Sequence, residues 1–454
     1  MKCSVILCRT GLAAGLMVLV AGSPVRGAER EPVVGQSAKR PNLLLILTDD
    51  QRWDTIRALG NPEIHTPNLD RLVECGFRFN NAYCMGAMVP AVCLPSRTML
   101  ITGRSLWRIP VDPRAAKAPA GVPLLPNQFN AAGYRTFHCG KSENTCTFGN
   151  AAFQTNITVN RRVPGTSREC ADHLIKFLND QDAEHPFFAY FAPPVPHDPR
   201  VAPTEFVKLY EPAKLALSKN SLSEHPFDNG DLRIRDELLA AIPRVPAEMR
   251  QHLADYYAAI SNLDHELGRV FEALQSRGLA DRTIVVFSSD QGLAVGGRHG
   301  LMGKQNLYEH VKPPLILSGP GIPHGQSNAL CYLFDLFPTL CELAGIETPD
   351  VVEGKSLLPV IAGKQPRVRE WLLGAYRTSQ RMIRDERWKL IKYNAGGAKN
   401  VQLFDLRADP DEVTNLADDP KYAGERARLE KLLTEARREF GDPVDFEGSG
   451  TPGA

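Results

Sequence analysis

The 454-residue chain has almost no net charge: 53 Lys and Arg stand against 52 Asp and Glu, a formal +1. That balance excludes capture of nucleic acid or of an anionic membrane through a global field, so any attraction for an anionic substrate must be local. Low-complexity tracts and internal repeats are also missing, which sets aside disordered, fibrous and solenoid architectures. No apolar run is long enough to span a bilayer comfortably. Cysteine is present ten times but never at zinc-ligand spacing. A chain of this length does not need a disulfide framework either. What is there is an ordinary globular composition, 43% hydrophobic and 23% charged, with enough chain for one large domain plus a smaller one.

Near the start, Lys2 and Arg9 precede the apolar stretch Leu12 to Ala21, and small residues follow at Gly22, Gly27 and Ala28. This order predicts a secretory signal peptide over 1–28 and a polar linker over 29–40, hence a periplasmic or secreted protein. Cys8 lies before the apolar run, the wrong side for a lipoprotein, so no stable membrane anchor is expected. Cys3 and Cys8 would leave with the signal, and eight cysteines remain. If Cys93 is chemically set apart, an odd number is left, and at least one thiol stays unpaired.

Leu43 to Leu47 is a continuous apolar run ending in Thr48-Asp49-Asp50, and Thr283 to Phe287 ends in Ser288-Ser289-Asp290. Short apolar runs with polar ends predict strands buried on both faces, as in a parallel sheet covered by helices. Between them, Pro67 to Cys75 and Ala171 to Leu178 look helical, while Ala131 to Phe137 and Phe187 to Phe191 look like strands. Leu253, Tyr257, Ile260, Leu263, Leu267, Val270 and Leu274 mark one apolar face of a long helix from about 248 to 275. The alternation predicts an α/β domain over 41–368 with a large, mostly parallel sheet flanked by helices. Beyond it, strand-like pieces at 387–393 and 401–404 and a charged helix from 422 to 440 predict a small antiparallel subdomain over 369–442. A flexible tail is expected at 443–454.

In open α/β sheets, ligands sit beyond the carboxyl ends of the strands. Asp49, Asp50 and Asp290, with the amide of Gln291, would suit a hard divalent cation, Ca²⁺ or Mg²⁺ in preference to Zn²⁺. Each Asp could equally cap the turn or helix that follows its strand.

The segment Cys93-Leu94-Pro95-Ser96-Arg97, followed by Thr102-Gly103-Arg104, resembles the formylglycine-dependent sulfatase family of the alkaline-phosphatase-like superfamily. In that family Cys-x-Pro-x-Arg is the signal for oxidising the cysteine to formylglycine. Thr48-Asp49-Asp50, Ser289-Asp290-Gln291-Gly292 and Leu403-Phe404-Asp405-Leu406 occur in the family's order, and choline- and iduronate-sulfatase-like members are similar. The likeness runs from about residue 40 to 420. It implies a formylglycine-generating enzyme as a maturation partner and Asp49, Asp50, Cys93, Asp290 and Gln291 as metal ligands. It further implies that Arg97 anchors the formylglycine hydroxyl, that Lys141 and Lys304 bind sulfate, and that His197 protonates the leaving alcohol.

A formylglycine hydrate has two hydroxyls. One attacks sulfur, and the other then loses its proton and expels sulfate from the sulfo-enzyme. Imidazole suits the general acid because it titrates near neutrality. Asp198, Arg200, His299, Tyr376 and Arg377 are expected as substrate contacts, although Asp198 and Arg200 could merely hold a turn. The family commonly has Gly-Lys-x-His where this chain reads Gly140-Lys141-Ser142-Glu143. Glu143 is expected either to take over a proton-handling role or to contact substrate.

The expected activity is hydrolysis of sulfate esters, with a sulfated saccharide as the partner and no nucleic acid. A phosphonate or phosphodiester hydrolase using the same machinery is the alternative. A catalytically silent sulfoglycan-binding protein is the reading from another class, and the Glu143 departure is its only support.

Overall fold

The computed structural model describes residues 40–110, 112–159, 165–182 and 184–446. The expected signal at 1–28, the linker apart from Arg40, and the tail after Phe446 lie outside the described residues. Nine strands before residue 340 are β1 (Asn42–Thr48), β2 (Phe77–Tyr83), β3 (Gly86–Ala87), β4 (Arg135–Lys141), β5 (Thr155–Val159), β6 (Phe187–Ala192), β7 (Thr283–Ser289), β8 (Leu315–Ser318) and β9 (Gly325–Tyr332). All but β3 form one sheet in the order β5-β4-β6-β1-β7-β8-β2-β9. Its neighbours are parallel except where β8 runs against β7 and β2.

The apolar runs sort onto two faces. Leu43, Leu45 and Leu47 join the core containing Phe129, Phe188 and Phe337. Leu44 and Ile46 join the opposite core, with Leu263, Leu267 and Leu274. Fully burying each such side chain contributes about 2 kcal/mol against the entropy of ordering it. The long helix spans Pro246–Ser276. Its C-terminal half covers the sheet, while Met249, Leu253, Tyr257 and Ile260 pack on Leu293, Val295 and Met302 beside the strand ends.

The second sheet contains β10 (Leu372–Tyr376), β11 (Gln380–Arg384), β12 (Trp388–Ala395) and β13 (Ala398–Asp405). These pair antiparallel, and the helix Ala423–Phe440 packs Leu429, Leu433 and Ala436 into their core. The sequence does not announce that β3 joins this sheet, running parallel to β10 through Ala375 opposite Gly86. A Cβ on Gly86 would fall 1.8 Å from the Ala375 carbonyl oxygen, so only glycine fits there.

Two elements differ most from expectation. The stretch expected as a strand over 131–137 is instead the end of a helix, Leu125–Ala131, then a turn through Gly133 (φ 81°), with β4 starting at Arg135. The apolar residues there serve two elements, which blurs their period. The helix expected over 171–178 spans Thr166–Asn179, because its polar first turn carries no apolar signal. No disulfide forms among the described residues, and seven of their eight cysteines are buried. No described helix is long and apolar enough to cross a membrane.

His138 in β4 is fully buried. Its Nδ1 sits 2.8 Å from Asn156 Oδ1, and Nε2 has no hydrogen-bond partner. Burial pushes its pKa down to about 4 from an ordinary 6.5. A depressed folded value means that the unfolded chain takes the proton first as pH falls. The neutral imidazole's contribution is therefore complete above pH 6.5 and is lost between 6.5 and 4, roughly 3 kcal/mol in all. The expected result is a Tm that falls more steeply over this interval in the wild type than in His138→Gln. Parallel Tm–pH curves would refute the assignment.

Candidate active site

Register builds the centre of the site. Thr48 lies opposite Ser289 in the β1–β7 pair, and the Asp290 amide donates to the Thr48 carbonyl at 3.1 Å. The residues following both strands therefore converge at one sheet edge. Asp50 takes a left-handed conformation (φ 69°), uncommon outside glycine. Its amide donates to Asp290 Oδ1 at 3.0 Å, and its carbonyl accepts the Tyr256 hydroxyl at 2.6 Å. Tyr256 comes from the long helix.

Cys93 opens the helix Cys93–Thr102, whose ten residues are all buried. That helix is pinned by Ser96 Oγ donating to the Asp290 carbonyl at 2.6 Å and by Gly103 in the left-handed region at its end. Cys93 Sγ lies 3.3 Å from both Lys304 Nζ and Gln291 Nε2, and 3.5 Å from Asp50 Oδ1. One turn on, Arg97 Nε donates to Asp290 Oδ2 at 2.9 Å, and its Nη2 lies 3.7 Å from Asp49 Oδ1.

Lys141, the last residue of β4, donates to both Asp49 oxygens at 2.8 and 2.7 Å. Lys304 donates to both Asp50 oxygens at 3.1 and 2.8 Å. His197 Nδ1 is 2.7 Å from the Asp198 carbonyl, which leaves Nε2 3.5 Å from Asp50 Oδ2. The sequence-expected Asp49, Asp50, Cys93, Arg97, Lys141, His197, Asp290, Gln291 and Lys304 are thus brought into one buried cluster.

The charges explain the protonation states. Burial works against ionising Asp49, yet Lys141, His197 and Arg97 outweigh it and hold the carboxyl well below the usual carboxylate range. The same contest, won chiefly by Lys304, lowers Asp50. Burial and the neighbouring Asp49 charge leave Asp290 raised to about 6. Burial, then the three carboxylates, push the Cys93 thiol well up. Burial and Lys304 lower His197.

Three carboxylates face three cations, Arg97, Lys141 and Lys304. A divalent cation would add two positive charges, and an anionic ligand entering beside it would offset them in part. Ligand atoms of Asp49, Asp50, Cys93 and His197 all lie within 4.8 Å of one another. Gln291 Oε1 is buried without a partner, a spare hard oxygen beside those carboxylates. Burial, then the Asp49 charge, hold Asp290 up against Arg97 and Lys141, and a cation at its free side would favour the ionised form. These donors fit a hard cation such as Ca²⁺.

The other expected residues make contacts of a different kind. Asp198 lies beside His197, its Oδ1 3.3 Å from Nδ1. His299, expected at the substrate, is buried and stacked on Tyr308 at 3.8 Å. It bonds Glu309 Oε2 at 2.8 Å, and Arg298 holds Glu309 Oε1 at 2.7 Å. This network braces the loop that carries Lys304. Arg200 lies over the Tyr256 ring at 5.8 Å with its Nη1 3.5 Å from His252. Glu143 is exposed in the bend after β4. Asp198 pairs with Arg235, Tyr376 donates to Asp231 Oδ2 at 2.6 Å, and Arg377 reaches the same carboxylate at 2.9 Å.

Sequence reasoning missed Arg235, Asp236, Tyr256 and Gln305. Asp236 Oδ2 lies 3.8 Å from Lys304 Nζ and accepts from Gln305 Nε2 at 2.7 Å. The run Arg233 to Glu237, charged within an otherwise aperiodic stretch, was the available signal. Tyr256 was masked by the apolar stripe of its helix.

The family profile described as sulfatase matches residues 41–346, and one described as N-sulphoglucosamine sulphohydrolase, C-terminal, matches 297–439. The chain is 25% identical to an N-acetylglucosamine-6-O-sulfatase of Bacteroides thetaiotaomicron over 90% of its own length and 88% of that protein. It is 28% identical to a choline-sulfatase of Rhizobium meliloti, over 86% and 85%. Among solved structures it resembles one in complex with its substrate D-glucosamine-2-N,6-O-disulfate (TM-score 0.74, 22% identity, 90% of this chain and all of that one). It also resembles the phosphonate monoester hydrolase of Agrobacterium radiobacter (TM-score 0.74, 21% identity, 88% and 96%).

Proposed function

The chain belongs to the sulfatase family of sulfuric ester hydrolases, and from that premise we propose that it removes sulfate from a sulfated saccharide through a formylglycine made from Cys93. The carrying observation is the position of Cys93: a buried helix start, 3.3 Å from Lys304 Nζ, among Asp49, Asp50 and His197. Hydrated formylglycine supplies the two hydroxyls needed to take up sulfate and then release it. Asp49, Asp50, Asp290 and Gln291, with residue 93, would hold a Ca²⁺ or Mg²⁺, which supplies charge stabilisation at the sulfate oxygens.

The chain's own groups do the rest. Arg97, fixed by Asp290, anchors the hydroxyl of residue 93. Lys141 and Lys304 act as point charges on sulfate, exchanging their carboxylate partners for substrate oxygens. The Asp198 carbonyl accepts from His197 Nδ1–H and turns Nε2 toward the cluster. As general acid the ring acts as the imidazolium, with Asp50 3.5 Å from Nε2 favouring that charge, and gives its Nε2 proton to the leaving alcohol. Glu143 is exposed where the cluster is buried, which fits substrate contact better than proton handling. The proposed setting is the periplasm or outside the cell, with a formylglycine-generating enzyme acting during maturation.

The test is the mass of the peptide containing Cys93, from protein made beside a formylglycine-generating enzyme, joined to a panel of sulfate and phosphorus esters. Aldehyde and sulfate release are expected. Faster turnover of the phosphorus esters would replace this reading with the phosphonate hydrolase one. His197→Ala should slow alkyl and sugar sulfates about 10²-fold or more and aryl sulfates far less, since aryl leaving groups need little protonation. Equal losses on both would remove His197 from the acid role.

A further inference from the structure

One loop links the catalytic cluster to a second pocket. Asp236 approaches Lys304 at 3.8 Å, and Arg235 pairs with Asp198 next to His197. The residues just before them, Asp228, Gly230, Asp231, Leu232, Arg233 and Ile234, line an open pocket of about 610 Å³ together with Pro90 and Arg377. Gln305 closes the seam: its Nε2 donates to the Pro90 carbonyl at 3.3 Å and to Asp236 at 2.7 Å. The pocket therefore adjoins the side of the site where His197 meets the leaving alcohol, and its size is in the range of small-ligand sites.

Its charges are unequally answered. Asp231 accepts both from Tyr376 and, at 2.9 and 3.0 Å, from Arg377 Nη1. Asp228 accepts from the Gly230 amide at 2.9 Å. Arg235 is taken up by Asp198 and Asp236. Arg233, in contrast, makes no hydrogen bond or ion pair with any described residue. Arg377 keeps a 44% exposed side chain although its backbone is strained into the left-handed region (φ 44°). Its amide donates to the Ala87 carbonyl at 2.7 Å, and its carbonyl accepts from Arg381 at 2.8 Å. A bulky residue held at positive φ at a pocket rim marks a position that the surroundings over-determine.

We infer that this pocket, through Arg233 and Arg377, binds a second anionic oxygen group of the leaving saccharide, so that the preferred substrates carry a further sulfate or a carboxylate besides the sulfate removed. The inference rests on the hydrolase reading above. Arginine's planar fork matches either oxyanion, and Asp231 holds the Arg377 fork in place.

The experiment uses the full, aldehyde-bearing enzyme and three saccharides with the same scissile sulfate: one with no other charge, one with a second sulfate, one with a carboxylate. The readout is the ratio of kcat/KM for each dianion to that for the monosulfated sugar. Arg233→Ala is expected to lower this ratio about tenfold, mainly through KM, with Arg233→Lys restoring part of it. Arg377→Ala should lower it in the same direction. A loss confined to one dianion identifies sulfate or carboxylate as the group bound. An unchanged ratio in both alanine variants would overturn the inference while leaving the hydrolase intact. No sulfate release from any of the three by the converted wild type would overturn both.

Discussion

Cys93→Ala is expected to lower sulfate-ester turnover by about four orders of magnitude or more while leaving the fold in place. The side chain is buried, but its Sγ meets polar groups, Gln291, Lys304 and Asp50, and no apolar core packing depends on it. The thiol's pKa is pushed well up by burial and the three carboxylates, so it is neutral in the folded and the unfolded chain alike near neutral pH, and Tm should change little. Ion chromatography of released sulfate and a thermal melt check both halves. Cys93→Ser sharpens the test, because one hydroxyl can accept sulfate but has no partner to expel it. A single-equivalent burst followed by a stall is expected, with sulfate mass retained on the peptide that spans position 93. Sustained turnover by either variant would remove residue 93 from the nucleophile role.

Chelation is the second large effect. Dialysis against EDTA should cost about 10²-fold or more in turnover, and Ca²⁺ should restore it. Global stability should change much less than activity. Lys141 and Lys304 already bond Asp49 and Asp50 directly, and Arg97 holds Asp290, so the carboxylates remain paired without a cation. Asp290→Asn should behave differently from chelation. It loses the Arg97 ion pair as well as a ligand, so added Ca²⁺ should not rescue it. Full activity after exhaustive chelation would exclude a cation from the site.

The features legible in the chain before folding all lie in short-range pattern. The runs 43–47 and 283–287 had to become buried strands because they are apolar throughout and stop at polar residues. Their terminal aspartates then had to fall at the edge where a parallel sheet holds ligands. The stripe from Leu253 to Leu274 required one long helix. The block from Cys93 to Arg104 carried the family resemblance and with it most of the cluster.

Contacts between segments with no period were settled only by tertiary packing. The 208–245 stretch is built of turns and short 3₁₀ pieces, so nothing local says that Arg235 reaches Asp198 or that Asp231 meets Arg377 across 146 positions. The pairing of β3 with β10 rests on two residues, too few to show a strand pattern. His299 turned inward because Glu309 and Arg298 offer a buried imidazole a paired carboxylate, an arrangement visible only once both ends of that loop are folded. Periodicity fixes which face of an element is buried. Which polar side chains meet beyond the strand ends is set by loop geometry, and that has no signature in composition or spacing.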